Sequence, residues 1–149
     1  MRRQHRISNQ KKSRLGAAIV ETAVMMPILL SVTFGVIEFG RAFMVSNLIT
    51  NAAREGSRQA IIKGVSTADV KTAVIDQVRN TVGATLTTNQ VTVTITPYTG
   101  NPNPNNECLN ASTRDLIVVA VSVPYTDVGY FFRYLTSVDL KAKAAMRHE

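Results

Sequence analysis

Between Thr22 and Ile37 the chain carries no charged residue, and extending the window back to Ala17 admits only Glu21. As a helix rising about 1.5 Å per residue, Ala17–Ile37 spans about 31 Å, enough to cross the hydrocarbon core of a bilayer. A domain of 149 residues can seldom surround so apolar a helix on all sides, so the segment reads as a membrane span and not as a core helix. Arg2, Arg3, Arg6, Lys11, Lys12 and Arg14 precede it, and no acid lies before Glu21. Cations on one flank alone set the orientation: residues 1 to 15 stay in the cytoplasm and the rest lies outside.

The same leader explains the overall charge. The formal net charge is +7, which would ordinarily raise the question of nucleic acid. Six of those charges belong to the leader, and the remaining body, with 11 basic against 10 acidic residues, is close to neutral. A nucleic-acid module spreads Lys and Arg along a face interleaved with stacking aromatics. That pattern is absent, and no nucleic-acid partner is expected. A cleaved secretory signal fits the basic start. The apolar run is long for one, however, contains Glu21, and lacks a small-x-small site followed by a turn. Phe34-Gly35-Val36-Ile37-Glu38-Phe39 continues instead into more helix-compatible sequence.

Glu21 is the residue that asks for an explanation. A carboxylate near the centre of a bilayer costs about 2.5–3.5 kcal/mol, and less near an interface. It could reach back to the headgroups or to Arg14. Its spacing offers a second reading. Gly16-Ala17-Ala18-Ile19-Val20-Glu21, after a basic leader, resembles the processing site of type IV pilin precursors. In those proteins a membrane-embedded prepilin peptidase cuts after the glycine and leaves the glutamate fifth in the mature chain. Cleavage after Gly16 would free an amine on Ala17, and Glu21 of a neighbouring subunit could neutralise it. In an apolar filament interior either charge alone would be strongly penalised.

The longer stretch Gly16 to Pro27, together with Gly35-Val36-Ile37-Glu38-Phe39-Gly40-Arg41 and Asn51-Ala52-Ala53-Arg54-Glu55-Gly56-Ser57-Arg58-Gln59-Ala60, is similar to the pattern of the TadE-like family. These are the pilin-like proteins of tight-adherence (Flp-type) pilus systems. One departure is Thr22, where that family commonly has an aromatic residue. The resemblance implies a single-pass protein of the bacterial inner membrane with its C-terminal domain extracytoplasmic. It implies membrane lipid, a prepilin peptidase, other pilin-like subunits and the pilus assembly platform as partners. The alternative is an unprocessed anchor presenting a small extracytoplasmic binding domain.

The residues of that pattern also have local readings. Pro27 lacks an N–H and should kink the membrane helix, which bilayers tolerate when neighbours re-satisfy the freed carbonyl. Glu38 and Arg41, spaced i, i+3, can pair on one helix face. Gly35 and Gly40 could permit close helix approach. Arg54, Glu55 and Arg58 suit a solvated face. Gly56, costing about 1 kcal/mol against alanine in mid-helix, suits a close contact.

Beyond the membrane the helix is expected to run to about Lys63 and stop at Gly64, about 70 Å from its start at Ala17. Leu48, Ala52 and Ala53 supply its apolar stripe. Ser66 with Asp69 forms a capping-box pattern ahead of Val70, Ala73, Val74 and Val78, and Gly83 ends that second helix. Val91, Val93 and Ile95 alternate with threonines as a half-exposed strand. Leu116 to Val123 reads as a central strand ended by Pro124, and Val138 to Met146 alternates again. The fold class is α+β: a long N-terminal membrane and spine helix, a second helix and a small three-stranded antiparallel sheet, the layout of pilin-like proteins. The expected division is a leader at 1–16, a membrane helix and its outer end at 17–45, and the outer domain at 46–149.

Residues 97–113, rich in Asn, Pro and Gly, read as an exposed loop. Cys108 within it has no internal partner; in an exposed loop it could pair between chains, and a free thiol is the default expectation. Tyr130, Phe131, Phe132 and Tyr134 are expected in the core or as a lid over it. His5 and His148 stand at opposite ends. No Cys/His spacing suits a metal, and no nucleophile has an obvious base. Neither catalysis, nor a metal, nor a cofactor is expected.

Overall fold

The computed structural model describes residues 4–131 and 138–149, with side chains from residue 16 onward. The leader's side chains, together with Phe132 and Tyr134 of the aromatic run, lie outside the described residues. Five main elements follow in order: α1 (Gln4–Ala60), α2 (Thr67–Val82), β1 (Val91–Thr96), β2 (Leu116–Pro124) and β3 (Asp139–Arg147). The chain divides into two compact units, Met1–Phe39 and Gly40–Glu149. The α+β class expected from the sequence is the one observed.

The first unit is helical. Its side chains from Gly16 to Thr33 are all exposed, as those of an apolar helix outside a globular core must be. Three hydroxyls interrupt the apolar run, and each satisfies itself. Thr22 Oγ1 donates to the Ala18 carbonyl, Ser31 Oγ to the Pro27 carbonyl and Thr33 Oγ1 to the Leu29 carbonyl, all at 2.8 Å. Bonding back one turn removes the need for water.

The second unit is a two-layer sandwich. β2 is the central strand, paired antiparallel to β1 (Val93 opposite Val119) and to β3 (Val119 opposite Ala144). Period-two alternation sends Val91, Val93, Ile95, Ile117, Val119, Val121, Val123 and Ala142 into the core. The outer part of α1 contributes Val45, Ile49, Ala52, Ala53 and Ala60, and α2 contributes Val70, Val74, Val78 and Val82. Burying each valine is worth about 1.5–3 kcal/mol, so this layer holds most of the unit's stability.

The ends of α2 form as its sequence signals require. Ser66 accepts from the Asp69 N–H at 3.1 Å while the Asp69 carboxylate accepts from the Ser66 N–H at 3.3 Å. At the other end Gly83, at φ 81°, takes the left-handed conformation that closes the helix. α1 stops at Ala60, earlier than the expected Lys63. Residues 61–64 turn instead, with Ile62 N–H on the Gln59 carbonyl and Gly64 at φ 87°.

Candidate functional site

Every residue of the expected processing and assembly pattern lies on α1. The Gly16–Ala17 peptide bond is inside the helix, and space around Gly16 is open, with nothing within 4 Å of a Cβ built there. Glu21 is exposed and among the described residues has no ion-pair or hydrogen-bonding partner. Since the neighbouring hydroxyls are self-satisfied, it is the one unanswered polar group from Ala17 to Thr33. Pro27 lies within the helix without ending it. Ala18, Ile19, Thr22, Ala23 and Met26 border a shallow apolar groove of about 430 Å³ on this face. Among the described residues, one helix stretch, Gly16–Ala60, contains a run long and apolar enough to cross a membrane.

Further along α1 the pattern residues stand in differing surroundings. Glu38 is 5% exposed, and a Cβ at Gly40 would meet nothing within 4 Å. Arg41, expected on Glu38, has longer-range partners. Its Nε donates to the Val128 carbonyl at 3.3 Å and its Nη2 to the Val82 carbonyl at 3.4 Å. The guanidinium also lies 5.1 Å from the centroid of the Tyr130 ring. Val82 is the last residue of α2, so a cation there answers an orphan carbonyl at the negative end of the helix dipole.

Arg54 is exposed, and Arg58 grips Glu55 through Nε on Oε2 at 3.0 Å and Nη2 on Oε1 at 2.9 Å. That bond holds the Glu55 carboxyl below its ordinary value. The solvated face expected for these residues is thus observed. Gly56 is buried, and a Cβ there would collide with Val74 Cγ2 and lie 3.4 Å from Val119 Cγ1. The glycine lets α1, α2 and β2 meet. Next to it, buried Ser57 lies 2.9 Å from the Ala53 carbonyl and 3.0 Å from that of Ala144, tying α1 to β3.

Two expectations about the outer unit, an accessible Cys108 and a buried aromatic run, are corrected. Cys108 is buried and cannot offer its thiol to another chain. Burial pushes its pKa up, outweighing a hydrogen bond with Thr67 that lowers it, so it is a poor nucleophile. The 97–113 segment folds down because Glu107 Oε1 accepts from the Thr67 N–H at 2.8 Å, Thr67 Oγ1 donates to the Asn106 carbonyl at 2.9 Å, and the Cys108 N–H donates to Thr67 Oγ1 at 2.9 Å. The aromatic run, as far as it is described, is no core: Tyr130 is 62% and Phe131 49% exposed. The buried aromatic is Tyr125, at 7%.

Sequence reading missed Asp115, fully buried at the mouth of the same loop. Its Oδ1 accepts from the Tyr98 N–H at 2.8 Å and Asn101 Nδ2 at 2.7 Å, and its Oδ2 from the Ser112 N–H at 2.8 Å. Burial alone would raise its pKa; these bonds, with the charge of His148, leave it below the ordinary value. With both oxygens occupied it fastens the loop and is not placed to move protons. The Asp115 carbonyl accepts from the His148 N–H at 2.9 Å, and His148 Nδ1 is buried without a partner. A polar residue ahead of an apolar strand was the only sequence signal. Among the described residues no group of three or more His, Cys, Asp or Glu could hold a metal ion.

A lone apolar helix ahead of a small α+β unit defines the class: a membrane-anchored protein with an N-terminal apolar helix. The family model described as TadE-like protein matches residues 16–58, from the expected processing glycine to the Arg58 that grips Glu55. Residues 16–58 are thus similar to the TadE-like family of pilus-associated proteins. No curated protein and no solved structure matches the chain.

Proposed function

We propose that this protein is a pilin-like subunit of a tight-adherence pilus or a related secretion system, anchored in the inner membrane and matured by a prepilin peptidase. The leader faces the cytoplasm and the unit from Gly40 onward lies outside. The protein is the substrate of a peptidase, and no chemistry of its own is assigned to it. Its partners are lipid, the peptidase, other pilin-like subunits and the assembly platform.

The observation that carries this reading is Glu21, an exposed carboxylate without a described partner, five positions after a glycine in open space. Hydrolysis of the Gly16–Ala17 bond consumes one water, leaving a carboxylate on the leader and an ammonium on Ala17. Peptidases act on extended backbone, and glycine is the residue that leaves a helix most readily, by about 1 kcal/mol against alanine. The new ammonium is the charge complement that Glu21 of an adjacent subunit lacks. At an effective dielectric of about 20, such a pair about 4 Å apart gains about 4 kcal/mol. Burying the two charges separately would cost about 5–7 kcal/mol on the same scale, so the pair offsets more than half of that cost. Pairing therefore makes a buried Glu21 tolerable, and assembly supplies the pair.

The test is Gly16→Lys in cells that carry the peptidase and the assembly system. Maturation is expected to stop, and surface fibres containing this subunit to disappear. Normal fibres from that variant would leave a tethered, unprocessed domain as the better account.

A further inference from the structure

β2 and β3 stay in register one pair beyond their ladder. Leu116 stands opposite Arg147, and Asp115 with His148 is the next pair. The His148 N–H donates to the Asp115 carbonyl at 2.9 Å and the Arg114 N–H to the His148 carbonyl at 2.7 Å, with Arg114 at φ 75°. A left-handed residue just before such a pair makes a bulge, which re-aims the side chains beside it. Alternation from Ile117 and Met146 puts both side chains on the core side of the sheet, where Asp115 is 0% and His148 6% exposed. Opposed residues of an antiparallel pair hold their Cβ atoms about 4.5–5.5 Å apart, close enough for an imidazole to bond a carboxylate. The charge of His148 acts on Asp115 across this pair.

The two side chains are complementary in what each leaves unfilled. An ionised carboxylate has about four lone-pair sites. Asp115 Oδ1 takes two donors, the Tyr98 N–H and Asn101 Nδ2, whereas Oδ2 takes the Ser112 N–H alone. His148 Nδ1 is buried without a hydrogen-bond partner among the described residues. A neutral ring with its proton on Nε2 sets a lone pair against the carboxylate, acceptor against acceptor; a protonated ring sets a charged donor there. The other charged groups nearby are engaged elsewhere or open to water. Arg114, Arg147, Glu149 and Lys63 are exposed, the Arg114 guanidinium lies 5.5 Å from the centroid of the Tyr98 ring, and Glu107 accepts from the Thr67 N–H. We infer that Asp115 and His148 form a latch on the 97–113 segment that tightens in mild acid: a proton taken from solvent by His148 turns Nδ1 into a donor to Asp115 Oδ2, completing the bonds that hold Tyr98, Asn101 and Ser112. Asp115 stays ionised there, since its bonds hold its pKa below the ordinary carboxylate value. The added stability is present in mild acid and lost as the pH rises and the ring gives up its proton. The latch lies wholly within the outer unit and does not rest on the pilin-like reading.

Cys108 is the one cysteine of the chain and is buried in the same segment, so its labelling by a maleimide in the detergent-solubilised full chain reads opening of that segment. Labelling also varies with pH through the thiolate. The quantity read is therefore the ratio of rates at one pH, His148→Gln over the native chain. The ratio at about pH 5.5 is expected to exceed that at about pH 8 by about tenfold, the worth of a hydrogen bond to a charged group. On an Asp115→Asn background the two ratios should agree. A ratio that is the same at both pH values would give His148 a packing role alone and overturn the latch, and a ratio that falls in acid would overturn it too. Should His148→Gln fail to fold, amide exchange of the native chain decides. Protection of the Tyr98 and Ser112 N–H groups, corrected for intrinsic exchange and taken relative to that of Val119, should rise about tenfold between the same two pH values; constant or falling protection refutes the latch.

Discussion

Gly56 sits where α1, α2 and the central strand converge, and a methyl group there meets Val74 Cγ2 with Val119 Cγ1 3.4 Å away. Gly56→Ala gains about 1 kcal/mol of helix propensity but overpacks the core, which typically costs about 1–3 kcal/mol. Overpacking wins, so denaturant unfolding of the detergent-solubilised chain should show a net loss of stability. Val74→Ala, harmful alone, should cost less on the Gly56→Ala background; strictly additive effects would refute the contact. Asp115 gives a second case. Asp115→Asn keeps an oxygen for the Tyr98 and Asn101 donors but sets an NH2 against the Ser112 N–H, and leaving a buried donor unmet costs about 1–3 kcal/mol. Because the folded carboxyl has its pKa lowered from 3.8, its contribution is fully present above that value and fades as pH falls through the folded pKa. The stability gap between native protein and variant should be constant near neutrality and shrink below about pH 4. Neither residue's role could be located from its neighbours alone. The glycine's promised close contact was legible, but not which atoms it would meet. The partners of Asp115 lie at positions 98, 101, 112 and 148, a spread that imprints no local pattern.

At the scale of elements, legibility followed the length of the pattern. α2 declared both ends through Ser66, Asp69 and Gly83, and its buried valines recur every four residues. β1 and β2 were plain because alternation and a continuous apolar run are strand signatures of five residues or more. The 97–113 segment is largely exposed, as expected, but its fasteners were not legible, because Thr67 lies 39 and 40 residues from Asn106 and Glu107. Buried Cys108 was missed for the same reason. The aromatic run has no period, so nothing in it said which rings face solvent. Among the described side chains of α1 before the outer unit, Glu21 is a polar group with no ion-pair or hydrogen-bonding partner. On the proposed function Glu21 acts in assembly, so Glu21→Ala should leave cleavage largely intact and impair incorporation into fibres. Mature but unassembled protein in the membrane fraction is the expected readout, and normal fibre yield would remove the charge-pairing argument.

Over the whole molecule, charge is segregated in a way that gives cleavage a physical consequence. Of the net +7, six charges sit ahead of Gly16, which on the proposed topology face the cytoplasm. While they remain, the apolar helix is held in the bilayer, since drawing six cations through the hydrocarbon core is prohibitive. Were they removed, the helix would begin with the Ala17 ammonium and could leave toward the outside, with Glu21 its only charged side chain before Glu38. The TadE-like segment at 16–58 opens at that boundary. The most direct measurement is the intact mass of the protein extracted from cells with an active prepilin peptidase. The account predicts a chain that starts at Ala17 and lacks the cationic leader; finding only protein that starts at Met1 in those cells would contradict it.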